Sequence, residues 1–413
     1  MIMENIINIL LLIIYISIFL GIAFFSQKLN IVGRIGIFIL LFYSIAPFFE
    51  FSDFQFFQYK AIYIYDKEII FFYMLTLIFV SLPFFLFFRE KWEIKVPKNL
   101  DALYVVWSVA LLAWLIDIGF NWRYFSLPKN EYILSLPEQT KNLIFFTIPA
   151  KEILVSFAFI PALNAKFRKI CLIVAVLAFS HSLLIGVRHV AFIAVLLYFL
   201  PKMRTKGLLL MLLIMTFAGE ASNVLKIMLS ELSRNNWSAI YGGWWIDYLY
   251  ENIGVSIEQK SILTNLMLKL KFPEMLEFGH MFDDLLAGMP MAQKVAVFLG
   301  YEFSSSVTGL SNFVGVLEGQ GTAYSIQLAV VESYGFVFVV IFFVLFILSR
   351  VKAGIFYITL GELFYSMMRN GVDYWFYQFW KIIILVFVFY VLSRFFIFLA
   401  KNINRQNSMP YEK

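Results

Sequence analysis

The chain has 413 residues, of which 62% are hydrophobic and only 15% are charged. An ordinary soluble domain is about half apolar and about a quarter charged, so this composition excludes a soluble globular enzyme and indicates a protein of the lipid bilayer. The net charge is +6, but lysine and arginine fall in short clusters between apolar runs, which argues against nucleic acid as a partner.

Apolar runs of membrane-spanning length follow one another along the chain. A helix needs about 20 mostly apolar residues to cross the hydrocarbon layer. The sequence predicts about eleven such helices, within a range of roughly ten to thirteen, near residues 5–25, 31–49, 68–88, 100–120, 142–163, 170–186, 187–200, 207–227, 325–348, 353–369 and 380–399. The first run lacks a basic start and a small-residue cleavage site, so we expect it to be retained. The expected fold is all-α, a polytopic integral membrane protein with one transmembrane domain over residues 1–413.

Basic residues predict the orientation, because lysine and arginine are enriched in short cytoplasmic loops. With the N-terminus outside, every cytoplasmic connection carries a basic cluster, and residues 170–200 must then form two short helices that turn at Gly186. The same orientation puts residues 228–324 outside as one long, partly helical periplasmic insertion. We therefore expect a multi-pass protein of a bacterial inner membrane, with function concentrated in that insertion.

The turn at Gly186 precedes Arg188 and His189. Its two flanking helices have about 15 residues each, or about 23 Å, which is shorter than the ~30 Å hydrocarbon core. The turn is therefore expected to be recessed, with Arg188 and His189 at the mouth of a cavity that receives a lipid-linked anion. The alternative is an arginine whose side chain extends to the lipid headgroups, beside a histidine that serves packing.

The insertion contains further candidates for binding and catalysis. Arg234 is a second cation for a pyrophosphate, with a solvated loop arginine as the alternative. On a helix, His280 shares a face with Asp283 or Asp284, so a carboxylate can orient the imidazole as a general base. The alternative is ordinary polarity of a helix surface. A third convergent ligand is not visible in this segment, so we predict no metal, and no cofactor motif occurs.

Several ionisable residues fall inside predicted spans, where each costs at least ~2.5–3.5 kcal/mol near the bilayer centre. Lys151 and Glu152 lie near the middle of one span and need partners on other helices, and Glu362 is a plausible partner for Lys151. Glu332 lies nearer the outer end of its span, where it can face a cavity beneath the insertion. It is the third catalytic candidate.

These features together resemble the O-antigen and capsule polymerases (Wzy), which join oligosaccharide repeat units in bacterial inner membranes. The resemblance covers the arrangement of nearly the whole chain. It rests on the hairpin at Gly186–Val187–Arg188, the long insertion late in the chain, Gly279 with Met289–Pro290 and Lys294, and Gly319–Tyr324 followed by Glu332–Gly335. Ala329 stands where the family often has Glu, a departure from its pattern.

The resemblance implies transfer of a growing glycan from undecaprenyl pyrophosphate to a sugar hydroxyl of an incoming lipid-linked repeat unit, without nucleotide sugar or obligatory metal. The implied partners are the undecaprenyl-pyrophosphate-linked glycan, membrane lipids and a chain-length regulator protein. Cations near the leaving pyrophosphate are expected to contribute most to such a reaction. The residues expected to bind pyrophosphate are Arg188, Arg234 and His189. The residues expected to be catalytic are His280, Asp283 and Glu332.

Three other readings are open from the sequence. An O-antigen ligase uses the same donor with a lipid A core acceptor. A lipid-linked oligosaccharide flippase or other transporter usually has evenly spaced helices and two related halves, which the insertion of nearly a hundred residues does not favour. The last is a structural subunit without chemistry of its own.

Overall fold

The structure is a computed structural model. It describes residues 2–48, 54–56, 59–61, 67–89, 101–124, 150–155, 157–158, 165–184, 188–251, 257–271, 281–289, 291–300, 324–351 and 357–407. The predicted catalytic residue His280 lies outside these ranges, and the side chains of Arg188 and His189 are not described although their backbone is.

The N-terminal half consists of helices and one short strand pair. The helices are α1 (Ile2–Phe25), α2 (Ile31–Tyr43), α3 (Lys67–Phe87), α4 (Asp101–Asn121), α5 (Ala165–Leu184) and α6 (Arg188–Phe199), with residues 150–155 also helical. Strands β1 (Phe54–Phe56) and β2 (Tyr59–Ala61) pair in antiparallel fashion, with Phe54 opposite Ala61. Single 3-10 turns cover Ser26–Lys28, Ala46–Phe48, Trp122–Tyr124 and Leu200–Lys202.

The regular elements among the described residues of the C-terminal half are all helices. Its helices are α7 (Thr205–Ser233), α8 (Trp237–Tyr241), α9 (Trp244–Glu251), α10 (Ile257–Lys271), α11 (Met281–Ala287), α12 (Ala292–Phe298), α13 (Ile326–Glu332), α14 (Val337–Arg350), α15 (Tyr357–Arg369) and α16 (Val372–Asn407).

Among the described residues, four helical segments are long and apolar enough to cross a membrane. They are Ile9–Lys28, Lys67–Phe87, Tyr104–Asn121 and Thr205–Leu229, and Ile31–Tyr43 and Val337–Arg350 are shorter apolar helices. Large hydrophobic side chains such as Leu112 and Phe343 are exposed on such helices, as expected where lipid is the solvent. The predicted class, an α-helical membrane protein, is therefore supported by the structure.

Helix α2 is the centre of the helical bundle. All of its residues from Val32 to Tyr43 are buried, and it contacts α1, α3, α6, α7 and α15. Gly36 allows the close approach of α3, since a Cβ there would stand 2.2 Å from Cε1 of Phe84. At its start, the Asn30 side chain accepts a hydrogen bond from the Gly33 amide at 2.9 Å and so caps the helix.

The predicted span 325–348 is divided into two helices. Helix α13 ends at Glu332, and α14 begins at Val337 after a break at residues 333–336, where Tyr334 and Gly335 have φ values of 50° and 84°. The amide of Gly335 donates to the carbonyl of Val330 at 3.0 Å, which closes the end of α13 as a left-handed helix terminus does. Glu332 therefore stands at a helix end instead of inside a continuous span.

Helices α5 and α6 correspond to the predicted hairpin. They are two separate helices that contact each other, with 20 and 12 residues respectively. The turn residues 185–187 lie outside the described residues. Arg188 is the first residue of α6.

The described part of the predicted insertion is folded against the membrane helices. In α10, every residue from Gln259 to Leu268 is buried, because both its polar and its apolar faces meet other elements, among them α3 and α13. Helix α9 folds back on α7, where the Tyr248 hydroxyl donates to Oε2 of Glu220 at 2.7 Å. Helix α10 is therefore part of the protein core, which its polar composition did not predict.

Candidate functional site

Polar and charged side chains cluster at both ends of α10, which meets α2 and α15 at its start and α13 at its end. We call this region the polar junction and define it by Tyr43, Glu258, Lys269, Asp284, Glu332, Tyr365 and Arg369. Buried ionisable groups need partners or a wet cavity, and in membrane proteins they mark functional sites more often than elsewhere. The polar junction is therefore the candidate functional site.

The first part of the polar junction is a lysine with two acids. The Lys269 ammonium of α10 lies 3.7 Å from Oε1 of Glu332 at the end of α13, and both side chains are largely buried. The carboxylate of Asp284, on α11 and almost fully buried, interacts electrostatically with that of Glu332. Three separate helices thus bring one cation and two carboxylates together.

The position of Asp284 depends on the packing of α11 against the start of α16. A Cβ at Gly288 would stand 2.5 Å from the Asp373 carbonyl oxygen and 3.0 Å from Cβ of Phe376, so this contact requires glycine. The predicted catalytic residue Asp283 lies beside Asp284 on α11 and is partly exposed. Of these two neighbours, Asp284 is the one whose carboxylate interacts with Glu332.

The second part of the polar junction is centred on Glu258 of α10. Arg369 is the last residue of α15, and its Nη2 atom lies 3.0 Å from Oε1 of Glu258. The Tyr43 hydroxyl donates to Oε2 of Glu258 at 3.0 Å, and the Tyr365 hydroxyl lies 3.3 Å from both carboxylate oxygens. The guanidinium of Arg369 also lies over the Tyr365 ring, 5.6 Å from its centroid. This cluster ties α10 to α2 and α15.

The predicted pyrophosphate-binding residues have different surroundings. Arg234 follows the end of α7, is half exposed, and lies 3.7 Å from Oε1 of Glu231. Arg188 begins α6, whose Ile193 meets Gly361 of α15 so closely that a Cβ at Gly361 would stand 2.7 Å from Cδ1 of Ile193.

A separate group of ionisable residues lies inside the helical bundle. Lys381 of α16 places Nζ 3.3 Å from Oε2 of Glu362 and 3.9 Å from Oε1 of Glu152. The Thr359 hydroxyl donates to Oε2 of Glu152 at 3.2 Å. The lysine predicted to pair with Glu362 was Lys151, whereas Glu362 pairs with Lys381. We call Glu152, Glu362 and Lys381 the buried triad.

Lys151 adjoins this triad. It is fully buried, and its Nζ has no hydrogen-bond partner among the described residues, although it interacts electrostatically with Asp117 and Glu152. Near Lys151, the Nδ1 atom of His181 accepts a hydrogen bond from Nε1 of Trp114 at 2.9 Å.

Metal-ligand geometry is not seen in the described ranges, where no three His, Cys, Asp or Glu side chains converge. The polar junction offers a different chemistry: a carboxylate able to accept a proton, next to fixed positive charges. Such an arrangement suits proton transfer coupled to stabilisation of an anion.

The fold and site define an α-helical membrane protein with a polar junction around α10. Comparison with models of known protein families finds no match to this chain. Comparisons with curated proteins and with solved structures find none either.

Of the residues that define the polar junction, sequence reasoning identified Glu332 but missed five: Tyr43, Glu258, Lys269, Tyr365 and Arg369. Asp284 was weighed only as a partner of His280. For Arg369, Glu258 and Lys269, the only available signal was their position along the predicted helices. Arg369 ends a predicted span, and Glu258 and Lys269 lie 11 positions apart on one helix, about 16 Å along its axis.

Proposed function

We propose that this chain is a membrane glycosyltransferase that polymerises undecaprenyl-pyrophosphate-linked oligosaccharide repeat units into O-antigen or capsular polysaccharide. The proposal includes the eleven-span arrangement, a periplasmic insertion over residues 228–324 and a bacterial inner membrane. The observation that carries it is the Lys269–Glu332 pair beside Asp284, which joins insertion helices to membrane helices at a helix break.

Glycosyl transfer needs a base for the acceptor and cations for the leaving group. The acceptor hydroxyl oxygen forms a bond to the anomeric carbon of the donor sugar, the bond from that carbon to the pyrophosphate oxygen breaks, and the proton passes to a carboxylate. In this proposal Glu332 accepts the proton, with His280 and Asp283 as the other candidates. Negative charge collects on the departing pyrophosphate, where preorganised cations contribute most.

The cations proposed for the pyrophosphate are Arg188 and Arg234, with His189 beside Arg188. The start of α6 supports this assignment for Arg188, because unpaired backbone amides at a helix N-terminus favour a bound anion. Lys269 keeps one positive charge between the two carboxylates of the site. The reaction needs neither a nucleotide sugar nor a cofactor.

The test uses cells in which the gene is deleted and replaced by variants. The wild-type gene should restore long glycan chains, whereas Glu332→Gln should leave single capped units, a loss of about a hundredfold or more in elongation if a general base is removed. Glu68→Gln, an exposed acid at the start of α3, is the matched control and should give normal ladders. A normal ladder from Glu332→Gln would remove Glu332 from the chemistry.

A direct assay separates this function from its rivals. Purified protein should elongate synthetic lipid-linked repeat units and release undecaprenyl pyrophosphate. Failure of the purified wild-type protein to do so, with a chain-length regulator present, would refute the polymerase. Loss of the gene should leave single-unit glycan on the lipid A core for a polymerase and none for an O-antigen ligase.

The buried triad favours a second candidate, a lipid-linked oligosaccharide flippase or other transporter. Ionisable side chains that pair inside a helical bundle line ion and substrate pathways in transporters. Cells without a transporter would keep lipid-linked units on the cytoplasmic leaflet, whereas cells without a polymerase would present single units outside. The location of the accumulated units decides between the two.

A further inference from the structure

The ion pair between Glu258 and Arg369 is not used by the reaction outlined above. We propose that Arg369 is a phosphate-binding residue for the lipid-linked pyrophosphate and that Glu258 is its counterion in the empty site, displaced when the pyrophosphate binds. This inference rests on the proposed function for the identity of the ligand. It adds a binding residue at the polar junction and a consequence for the position of α10.

Arg369 has unused capacity for an oxyanion. An arginine presents five N–H donors in a planar fork that matches two phosphate oxygens. In this structure Nη2 of Arg369 lies 3.0 Å from the Glu258 carboxylate, and Nη1 donates to Oδ1 of Asn370 at 3.4 Å. The Nε atom of Arg369 has no hydrogen-bond partner among the described residues. The Arg369 side chain is about one-fifth exposed, so a ligand can reach it.

Glu258 can be displaced without being left unpaired. Its carboxylate accepts hydrogen bonds from Tyr43 at 3.0 Å and from Tyr365 at 3.3 Å, and both tyrosines belong to membrane helices. These two donors would keep the carboxylate hydrogen-bonded after Arg369 turns to a ligand. A pyrophosphate carries more negative charge than one carboxylate, so it competes well for the same guanidinium.

The exchange has a consequence for the other part of the polar junction. Helix α10 carries Glu258 near its start and Lys269 near its end. The ion pair between α10 and α15 is lost when Arg369 binds the ligand. The start of α10 is then held by the hydrogen bond from Gln259 to the Phe42 carbonyl and by those from the two tyrosines to Glu258. Because the start of α10 then keeps fewer contacts, pyrophosphate binding at Arg369 would loosen the helix that carries Lys269 to Glu332.

The test measures binding alone, with the full-length protein in nanodiscs and inorganic pyrophosphate as the probe. Arg369→Gln should weaken pyrophosphate binding about tenfold or more, because it removes a charged donor. Glu258→Gln should tighten binding about threefold to tenfold, because it removes the competitor while the amide can still meet the tyrosines. Arg394→Gln is the matched control, since the Arg394 guanidinium lies over the Tyr390 ring at 5.5 Å in a similar way.

Further control measurements show how the binding result is to be interpreted. Thermal unfolding, followed through the buried thiol of Cys171, shows whether each variant folds. Arg369→Lys should bind pyrophosphate with an affinity between those of wild type and Arg369→Gln. Inorganic phosphate and phosphatidylglycerol nanodiscs distinguish a pyrophosphate site from a site for a lipid headgroup. Competition by phosphatidylglycerol at the affinity of pyrophosphate would overturn the proposed ligand.

The inference is overturned if wild-type protein binds no pyrophosphate, if Arg369→Gln binds it as wild type does, or if folded Glu258→Gln binds it more weakly. The outcomes for the proposed function are separate. Pyrophosphate binding with the predicted variant pattern but no elongation would refute the polymerase and leave this site intact. Elongation by Arg369→Gln at the wild-type rate would refute this site and leave the polymerase intact.

Discussion

Lys381 and Glu362 form an ion pair across α16 and α15, with Nζ 3.3 Å from Oε2, and the same ammonium lies 3.9 Å from Glu152. All three side chains are largely or fully buried. Removing one partner of a buried ion pair is much more destabilising than replacing the whole pair, because the remaining charge stays buried without compensation.

Lys381→Met is therefore expected to lower the stability of the protein in detergent by about 3–5 kcal/mol. The double variant with Lys381→Met and Glu362→Gln should recover part of this loss. Unfolding can be followed with a thiol-reactive dye, because the one cysteine of the chain, Cys171, is buried in the native state. Equal unfolding temperatures for the single and double variants would contradict a charge interaction between Lys381 and Glu362.

Gly288 sets the distance between α11 and α16. Gly288→Ala should push α11 away from Asp373, lower stability by about 1–3 kcal/mol and reduce glycan elongation, because Asp284 moves relative to Glu332. Gly119→Ala in α4 is the control, since nothing lies within 4 Å of a Cβ there. If the two substitutions lowered the unfolding temperature equally, the contact at Gly288 would not be as close as described.

The contact between Gly361 of α15 and Ile193 of α6 can be tested by substitution. Helix α6 is the helix that begins with Arg188. Gly361→Ala should destabilise the protein by about 1–3 kcal/mol, because its Cβ would stand 2.7 Å from Cδ1 of Ile193. Adding Ile193→Ala removes the side-chain atoms that clash, so the double variant should be more stable than the sum of the two single effects. Additive losses in unfolding temperature would show that the two positions do not touch.

The side of the membrane occupied by α8 can be measured directly. In a Cys171→Ser background, a cysteine at Tyr241, which is 80% exposed, should react with a membrane-impermeant maleimide in intact spheroplasts. A cysteine at Lys206, exposed near the start of α7, should react only after permeabilisation. The opposite labelling pattern would place the insertion in the cytoplasm and remove Arg234 from a periplasmic site.

The helical class was predictable because the bilayer imposes a strong rule on sequence: long apolar runs are readable one at a time. Helices α3 and α4 begin within a residue of their predicted bounds. The break at residues 333–336 was missed although Glu332, Ser333 and Gly335 interrupt the apolar run there, because the run was taken as one span by its length. Gly335 has a positive φ at the helix end, a common position for glycine, but Tyr334 adopts a left-handed conformation that the sequence did not predict.

The pairing of charges was the least predictable part. Lys151, Glu152, Glu362 and Lys381 were visible as ionisable residues in or near predicted spans, but which partners meet depends on the rotation of each helix. Lys381 was assigned to the edge of its span and was not considered as a partner of Glu362. Helix α10 was placed in the mostly polar insertion by the predicted orientation of the chain, yet its polar residues Gln259, Lys260 and Asn265 are all buried.

Helix α2 carries Tyr43 to the polar junction, and its residues from Val32 onward are sealed from solvent by neighbouring helices. A change of bilayer thickness acts first on outer surfaces such as those of α1 and α14, which tilt or stretch to match the lipid. The height of Tyr43 relative to Glu258 is instead fixed by protein contacts alone. The spacing of these two groups should therefore stay the same in thin and thick membranes, which makes the geometry of the site independent of the lipid that surrounds it.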